Sequence, residues 1–247
     1  MTGVLKEKVV VVTGATGGIG SAIVRAVGAA GGVPVIVHHG EAAAATALAE
    51  SVGVGALVRE VDVRDWDQVA GLVDDVLAER GRLDVLVNNA GIMAEVPFTE
   101  MTRADWDATM DVDLTGVFLC ARHAAVPMLA AGGGAIVNVS SQLAFKGAAG
   151  YTAYCAAKAG VAGLTRALAR EIGPTVRVTA IAPGPVASPM TDPYATDEWL
   201  AERTGPLVIG RLAEPEEIAA SVVFLASEAG SLMHGQTLHA NGGGVLA

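Results

Sequence analysis

Aromatic residues, basic residues and cysteines are all scarce in this chain of 247 residues, and each shortage removes a class of function. Phe, Trp and Tyr make up 4% of the sequence, so the core must come from Val, Ile, Leu and Ala within an apolar fraction of 52%. Lys and Arg number 16 against 26 Asp and Glu, a formal net charge of −10. Binding to a phosphate backbone needs a basic footprint, so nucleic acid is excluded as a partner and anionic membrane surfaces are disfavoured. The two cysteines, Cys120 and Cys155, show neither metal-ligand spacing nor a disulfide framework, which reads as a reducing, cytoplasmic setting. Five histidines without ligand spacing, with His38 and His39 the one adjacent pair, give no metal site. Met1–Lys8 is charged and lacks a signal-peptide core, and no apolar run is expected to span a bilayer.

What is present is a regular alternation of short β-branched runs and longer amphipathic stretches. Strands are expected at 9–12, 33–37, 56–61, 83–87, 135–139, 176–181 and 237–239. Helices are expected at 21–30, 41–51, 65–79, 105–131, 152–172 and 216–226. Such alternation predicts an α/β fold, a doubly wound parallel sheet of about seven strands with helices on both faces. The length fits one domain over 1–247, and no linker or internal repeat interrupts it. The stretch 189–211 departs from the alternation; with Pro189, Pro193 and Pro206 it reads as a lid over the site.

Three features carry chemistry. Thr13-Gly-Ala-Thr-Gly-Gly-Ile-Gly20 lies where a buried strand meets a helix, where free backbone N–H groups favour a pyrophosphate. Tyr154 and Lys158 stand four apart on one helix face. The ammonium favours the phenolate and lowers the phenol pKa, which makes Tyr154 a candidate general acid/base. Ser141, thirteen residues before Tyr154, supplies a hydroxyl that can donate to a developing oxyanion.

The glycine turn resembles the T-G-x-x-x-G-I-G turn of the classical short-chain dehydrogenase/reductase family. Asn88-Asn-Ala-Gly91 is similar to the family's N-N-A-G, Ser141 to its catalytic serine, and Tyr154 with Lys158 to its Y-x-x-x-K. Pro183-Gly184 followed by Ser188 resembles P-G-x-x-x-T, and Gly235–Gly243 resembles the ending of 3-oxoacyl-carrier-protein reductases. These motifs stand in the right order over essentially the whole chain. The resemblance implies a Rossmann-type domain, a nicotinamide cofactor, and hydride exchange with a small ketone or secondary alcohol. It implies that Gly14, Thr16, Gly17, Gly18, Ile19 and Gly20 hold the pyrophosphate. Asp62 and Val63 would hold the adenine, and Asn89, Ala90 and Gly91 would line the cleft. Lys158 and Tyr154 would meet the nicotinamide ribose, with Pro183, Gly184, Val186 and Ser188 near the carboxamide. The family usually forms tetramers through the helix from Asp105 and the helix from Thr152, whose Ala156, Ala159, Gly160 and Gly163 permit close contact; a homotetramer is expected.

The chain departs from the family pattern at three places. Asp113 stands where an Asn completes the catalytic tetrad, so activity with an altered pH profile is expected; the alternative is a cofactor-binding protein with weak catalysis. At the end of the second strand His39 replaces an acid, with His38 beside it and Glu41 two positions on. No carboxylate at position 39 repels a 2′-phosphate and His38 or His39 could meet it, which favours NADP(H) over NAD(H). Finally, Met128–Gly134 carries no Lys or Arg, which disfavours docking of an acidic carrier protein. A small, freely diffusing substrate is preferred over a 3-oxoacyl thioester, in a pocket walled by Met93, Val96, Tyr151, Met190, Tyr194 and Trp199.

Overall fold

Val9–Val12 (β1) is a run of four valines buried on both faces of a sheet. The computed structural model describes residues 3–53, 55–188 and 196–246. β1 is flanked by Val33–His38 (β2) and Val85–Asn88 (β4), and the full order is β3-β2-β1-β4-β5-β6-β7, every pair parallel. The remaining strands are Leu57–Glu60 (β3), Gly134–Val139 (β5), Val176–Ile181 (β6) and Thr237–Leu238 (β7). The chain walks from β1 outwards to β3 and then returns to place β4 against β1. That reversal opens a crevice at the carboxyl ends of β1 and β4, where doubly wound sheets bind ligands.

The period-two alternation of each strand sorts its side chains between two cores. Val10, Val12, Ile36 and Val137 face Gly18–Ala29 (α1), Ala42–Val52 (α2) and Pro215–Ala226 (α9). Val9, Val11, Leu86 and Ile136 face Trp66–Arg80 (α3) and Gly116–Ala130 (α5), and Leu168 of Thr152–Glu171 (α7) packs onto the same core. Local chemistry sets the helix starts. Asp65 caps α3 by accepting from Asp67 N and Gln68 N at 2.9 and 3.0 Å. Thr102 and Asp105 form a reciprocal capping box at Arg103–Met110 (α4), and Pro215 opens α9.

Four differences from the sequence reading stand out. α1 begins at Gly18, three residues earlier than expected, so the turn's own glycines form its first turn. The long helix expected from Asp105 is interrupted: Asp111–Thr115 is a π turn between α4 and α5, and it carries Asp113 into the interior. Counted as one, Arg103–Ala130 is 28 residues long and apolar enough to cross a membrane by length and composition, contrary to the expectation of no such run. Half of its apolar window is buried, and α5 packs on α3 and on the sheet, as a core helix does. Two short helices were not anticipated, Leu143–Lys146 (α6) and Asp197–Thr204 (α8). The latter lies in the expected lid; residues 189–195 of that stretch, with Met190 and Tyr194, lie outside the described residues.

Candidate active site

α7 brings the central groups together. The Lys158 ammonium stands 5.6 Å from the centroid of the Tyr154 ring. It donates to the Val139 carbonyl at the end of β5 (3.2 Å) and pairs with Asp113 Oδ2 at 3.0 Å. Asp113 Oδ1 accepts the Ile92 N–H at 2.8 Å, which ties the loop after β4 to the π turn. Gly91 makes this approach possible: a Cβ there would lie 2.9 Å from Asp113 Oδ2 and 3.2 Å from Lys158 Nζ. The pair is therefore buried at the meeting point of β4, β5, α7 and the π turn.

Ser141 stands two residues beyond the end of β5, and its hydroxyl oxygen accepts the Leu143 N–H at 3.1 Å. Its neighbour Ser140 donates to the carbonyl of Lys158 at 2.9 Å, which assigns Ser140 to anchoring α7. A further anchor, absent from the sequence reading, is a buried polar chain. Asn88 Nδ2 donates to Asn138 Oδ1, Asn138 Nδ2 to Thr165 Oγ, and Thr165 Oγ to the Val161 carbonyl, at 2.9, 2.9 and 2.8 Å. It links β4, β5 and α7, so it fixes where Tyr154 stands relative to the sheet. Two asparagines in adjacent strands at the same register, Asn88 and Asn138, are the signal that could have found it.

On the other side of the crevice the glycine turn is packed too tightly for side chains. A Cβ at Gly14 (φ 59°) would lie 2.8 Å from Ala90 Cα, and one at Gly20 would lie 2.2 Å from the Gly14 carbonyl oxygen. Asn89 locks the turn, donating through Nδ2 to the carbonyls of Thr13 and Gly14 at 3.0 Å each. Thr13 Oγ accepts from the N–H groups of Asn89 and Ala90, also at 3.0 Å. Gly17 caps α1 without a side chain, and no acidic residue occupies the first turn. The N–H groups opening α1 at Gly18 and Ile19 thus face the crevice uncapped, which fits a pyrophosphate.

The match extends to known proteins. Residues 14–244 match a family model described as enoyl-(acyl carrier protein) reductase. The cis-4-hydroxycyclohexanecarboxylate dehydrogenase of Sinomonas cyclohexanicum is 46% identical over 240 residues, 96% of each chain. The 3-oxoacyl-[acyl-carrier-protein] reductase FabG of Staphylococcus aureus is 38% identical, over 96% of this chain and 97% of its own. The chain belongs to the classical short-chain dehydrogenase/reductase family. A Brucella melitensis family member, described as a glucose/ribitol dehydrogenase, superposes over the whole of both chains with a TM-score of 0.94 at 33% identity. As a short-chain dehydrogenase/reductase, this protein is an oxidoreductase acting on CH–OH/C=O groups with a nicotinamide nucleotide.

In this family frame the remaining expectations can be placed. His38 is buried, and its Nδ1 accepts the Glu41 N–H at 3.3 Å. It serves the turn after β2, and His39 is exposed. Glu41, two positions beyond His39, reaches the glycine turn, where the Thr16 hydroxyl donates to its Oε2. Asp62, in the turn after β3, makes a bidentate contact with Arg64, and buried Val63 packs on Gly116 of α5. Pro183 accepts the Gln142 N–H at 2.9 Å, and Gly184 lies against Asn241, where a Cβ would come within 2.8 Å of backbone. Val186 bridges to Ala213 and Ser188 follows it, at the mouth.

The electrostatics differ from the sequence expectation. Burial pushes the Tyr154 phenol up; the Lys158 charge and a Ser141 hydrogen bond pull it down, Asp113 pushes it up again, and the balance is upward. Burial alone would lower Lys158, but Asp113 above all, and Tyr154 after it, outweigh it, and the balance is upward. Tyr154 is therefore a phenol at neutral pH, suited to giving a proton. Burial pushes the Cys120 thiol up to about 12, so it supplies no thiolate.

Proposed function

We propose that this protein interconverts a small secondary alcohol and its ketone, using NAD(H). The carrying observation is the cluster of Ser141, Tyr154 and Lys158 beside a glycine turn shaped for a dinucleotide. The nicotinamide supplies or accepts the hydride. Tyr154 delivers the proton to the carbonyl oxygen, or removes it from the alcohol, and Ser141 donates to the same oxygen as its charge grows. Lys158, held by Asp113 and the Val139 carbonyl, keeps a positive charge beneath the phenol. The relative from Sinomonas, named for a hydroxylated ring acid, supports a ring-sized substrate such as 4-hydroxycyclohexanecarboxylate. A carrier-bound 3-oxoacyl group is disfavoured by the lack of Lys or Arg at 128–134.

The preference for NAD(H) reverses the expectation from His39. A carboxylate hydrogen-bonded to the glycine turn repels a 2′-phosphate, whereas it can accept from a ribose hydroxyl. NADH is expected to bind at least about tenfold more tightly than NADPH, and Glu41→Gln to narrow that gap. A homotetramer is also proposed, since α5 exposes Phe118, Val126 and Leu129. Of the small residues on α7, Gly160 is already used within the chain, where a Cβ would lie 2.7 Å from Leu114. Residues 196–211 are proposed as part of a lid. The test is titration of NADH and NADPH, followed by nicotinamide absorbance with ring alcohols, ketones, and carrier-bound against small-thiol acyl substrates. Turnover of acyl-carrier substrates above the ring alcohols would overturn the substrate assignment.

A further inference from the structure

Arg203 is a cation on the substrate side that has no ion-pair partner among the described residues. It lies in the last turn of α8, half-buried, with its guanidinium carbon 5.8 Å from the centroid of the Tyr151 ring and 5.7 Å from that of Trp199. Among the described residues it forms no ion pair, as is true of Arg25, Arg80, Arg122, Arg166, Arg170 and Arg177, but it is the one arginine among them stacked on aromatic rings. Two aromatic faces hold the guanidinium and strip part of its hydration, leaving its planar edge of N–H donors available.

The rings that hold it belong to the catalytic neighbourhood. Tyr151 is buried and immediately precedes α7, three residues before Tyr154, and its carbonyl accepts the Cys155 N–H at 2.8 Å. Its hydroxyl donates to Glu95 Oε2 at 2.6 Å, which fixes the ring. Glu95 lies in the loop that follows Gly91, and Val96 N donates to Gly150 O at 2.8 Å, closing that loop onto the start of α7. Arg203 is thus carried by α8 to the mouth of the crevice that contains Tyr154.

We propose that Arg203 anchors a substrate carboxylate, so that the protein acts on hydroxy or oxo acids whose carbinol carbon reaches Tyr154. This assignment rests on the alcohol–ketone reading above and narrows its substrate class. A planar fork matches a carboxylate bidentately, and the Tyr151 and Trp199 rings suit an apolar body between the two polar ends.

The test uses an unreactive probe first. Cyclohexanecarboxylate has no hydroxyl to oxidise, so its equilibrium binding to the NAD⁺ complex, read by calorimetry, reports on Arg203 without turnover. Cyclohexanecarboxamide is the uncharged control. Arg203→Met is expected to weaken carboxylate binding by about 10- to 100-fold and to leave carboxamide binding unchanged. Arg203→Lys, which keeps the charge without the fork, should fall between. Equal loss for both probes, or loss for neither, overturns the assignment. Turnover of 4-hydroxycyclohexanecarboxylate then separates the two claims. Discriminating binding without turnover by the unsubstituted protein leaves Arg203 in place and removes the hydride-transfer substrate. Full turnover with an unchanged KM in Arg203→Met does the reverse.

Discussion

Two ion pairs lie at the carboxyl edge of the same sheet, and their surroundings make them different devices. Asp62 and Arg64 meet across a single turn after β3, with 20% and 47% of their side chains exposed. Asp113 and Lys158 come from the π turn and α7, with 0% and 4% exposed. Solvent screens the first pair, so its net worth is at most about 1 kcal/mol. The second has lost its hydration on both ions and recovers it through each other, the Ile92 N–H and the Val139 carbonyl. An exposed pair shapes a turn. A buried pair of this kind adds little net stability, and its use is to hold an ammonium at a fixed place under Tyr154.

The strongest way to break that contrast is Lys158→Met. It leaves the Asp113 carboxylate buried with one remaining donor, which should cost about 3–5 kcal/mol in urea unfolding. Turnover should fall about 10²- to 10⁴-fold, since the proton donor loses its charged neighbour. An unfolding midpoint equal to that of the unsubstituted protein would show that Asp113 is not carrying a buried charge.

Next in size is Gly91→Ala. The added methyl would meet both Asp113 Oδ2 and Lys158 Nζ inside ordinary contact distance, and neither can retreat to solvent. Overpacking of this kind costs about 1–3 kcal/mol. Turnover should drop, and NADH affinity, measured by fluorescence titration, should weaken with it, because the methyl enters the cofactor cleft and displaces Lys158.

Asp113→Asn sharpens the comparison without emptying the site. The amide still accepts the Ile92 N–H but removes a negative charge that pushes the Tyr154 phenol up. Removing an upward push lowers the phenol pKa, so the alkaline rise of alcohol oxidation, which needs the phenolate, should begin at lower pH. A superimposable pH–rate curve would place the Asp113 charge outside the proton-transfer step.

The same contrast explains how much was legible in the sequence. β1 and β6 match their expected bounds; the unbroken valine run of β1 has few alternatives in a parallel sheet, and β6 alternates around Arg177 and Thr179 with β-branched residues at Val176, Val178 and Ile181. Tyr154 and Lys158 could be named from their spacing along one helix, and Ser141 from its resemblance to the family's serine. The π turn could not, because Asp111–Thr115 differs from helix by one residue per turn and leaves no compositional mark. Glu41 at Thr16 and Arg203 at Tyr151 were missed for another reason: each joins segments far apart in the chain, and the two-position offset of Glu41 from the usual acid concealed its reach. Asn138 and Thr165 were hidden similarly, as polar residues inside otherwise apolar elements whose partners only the fold supplies.

The smallest expected effect is at the exposed pair. The Arg64 hydrogen bonds hold the Asp62 carboxyl at about 2, below its ordinary 3.8. A folded-state value below the unfolded one means the contribution is complete above the unfolded value and disappears as pH falls towards the folded one. Asp62→Asn should therefore lower stability at pH 7 by less than about 1 kcal/mol, discounted for the exposure of Arg64. The difference from the unsubstituted protein should shrink further in high salt and vanish near pH 2. A loss as large as that of Lys158→Met, persisting in high salt, would mean that Asp62 supports the floor of the crevice rather than a surface turn. The contrast between the two pairs would then be one of position and no longer one of solvent.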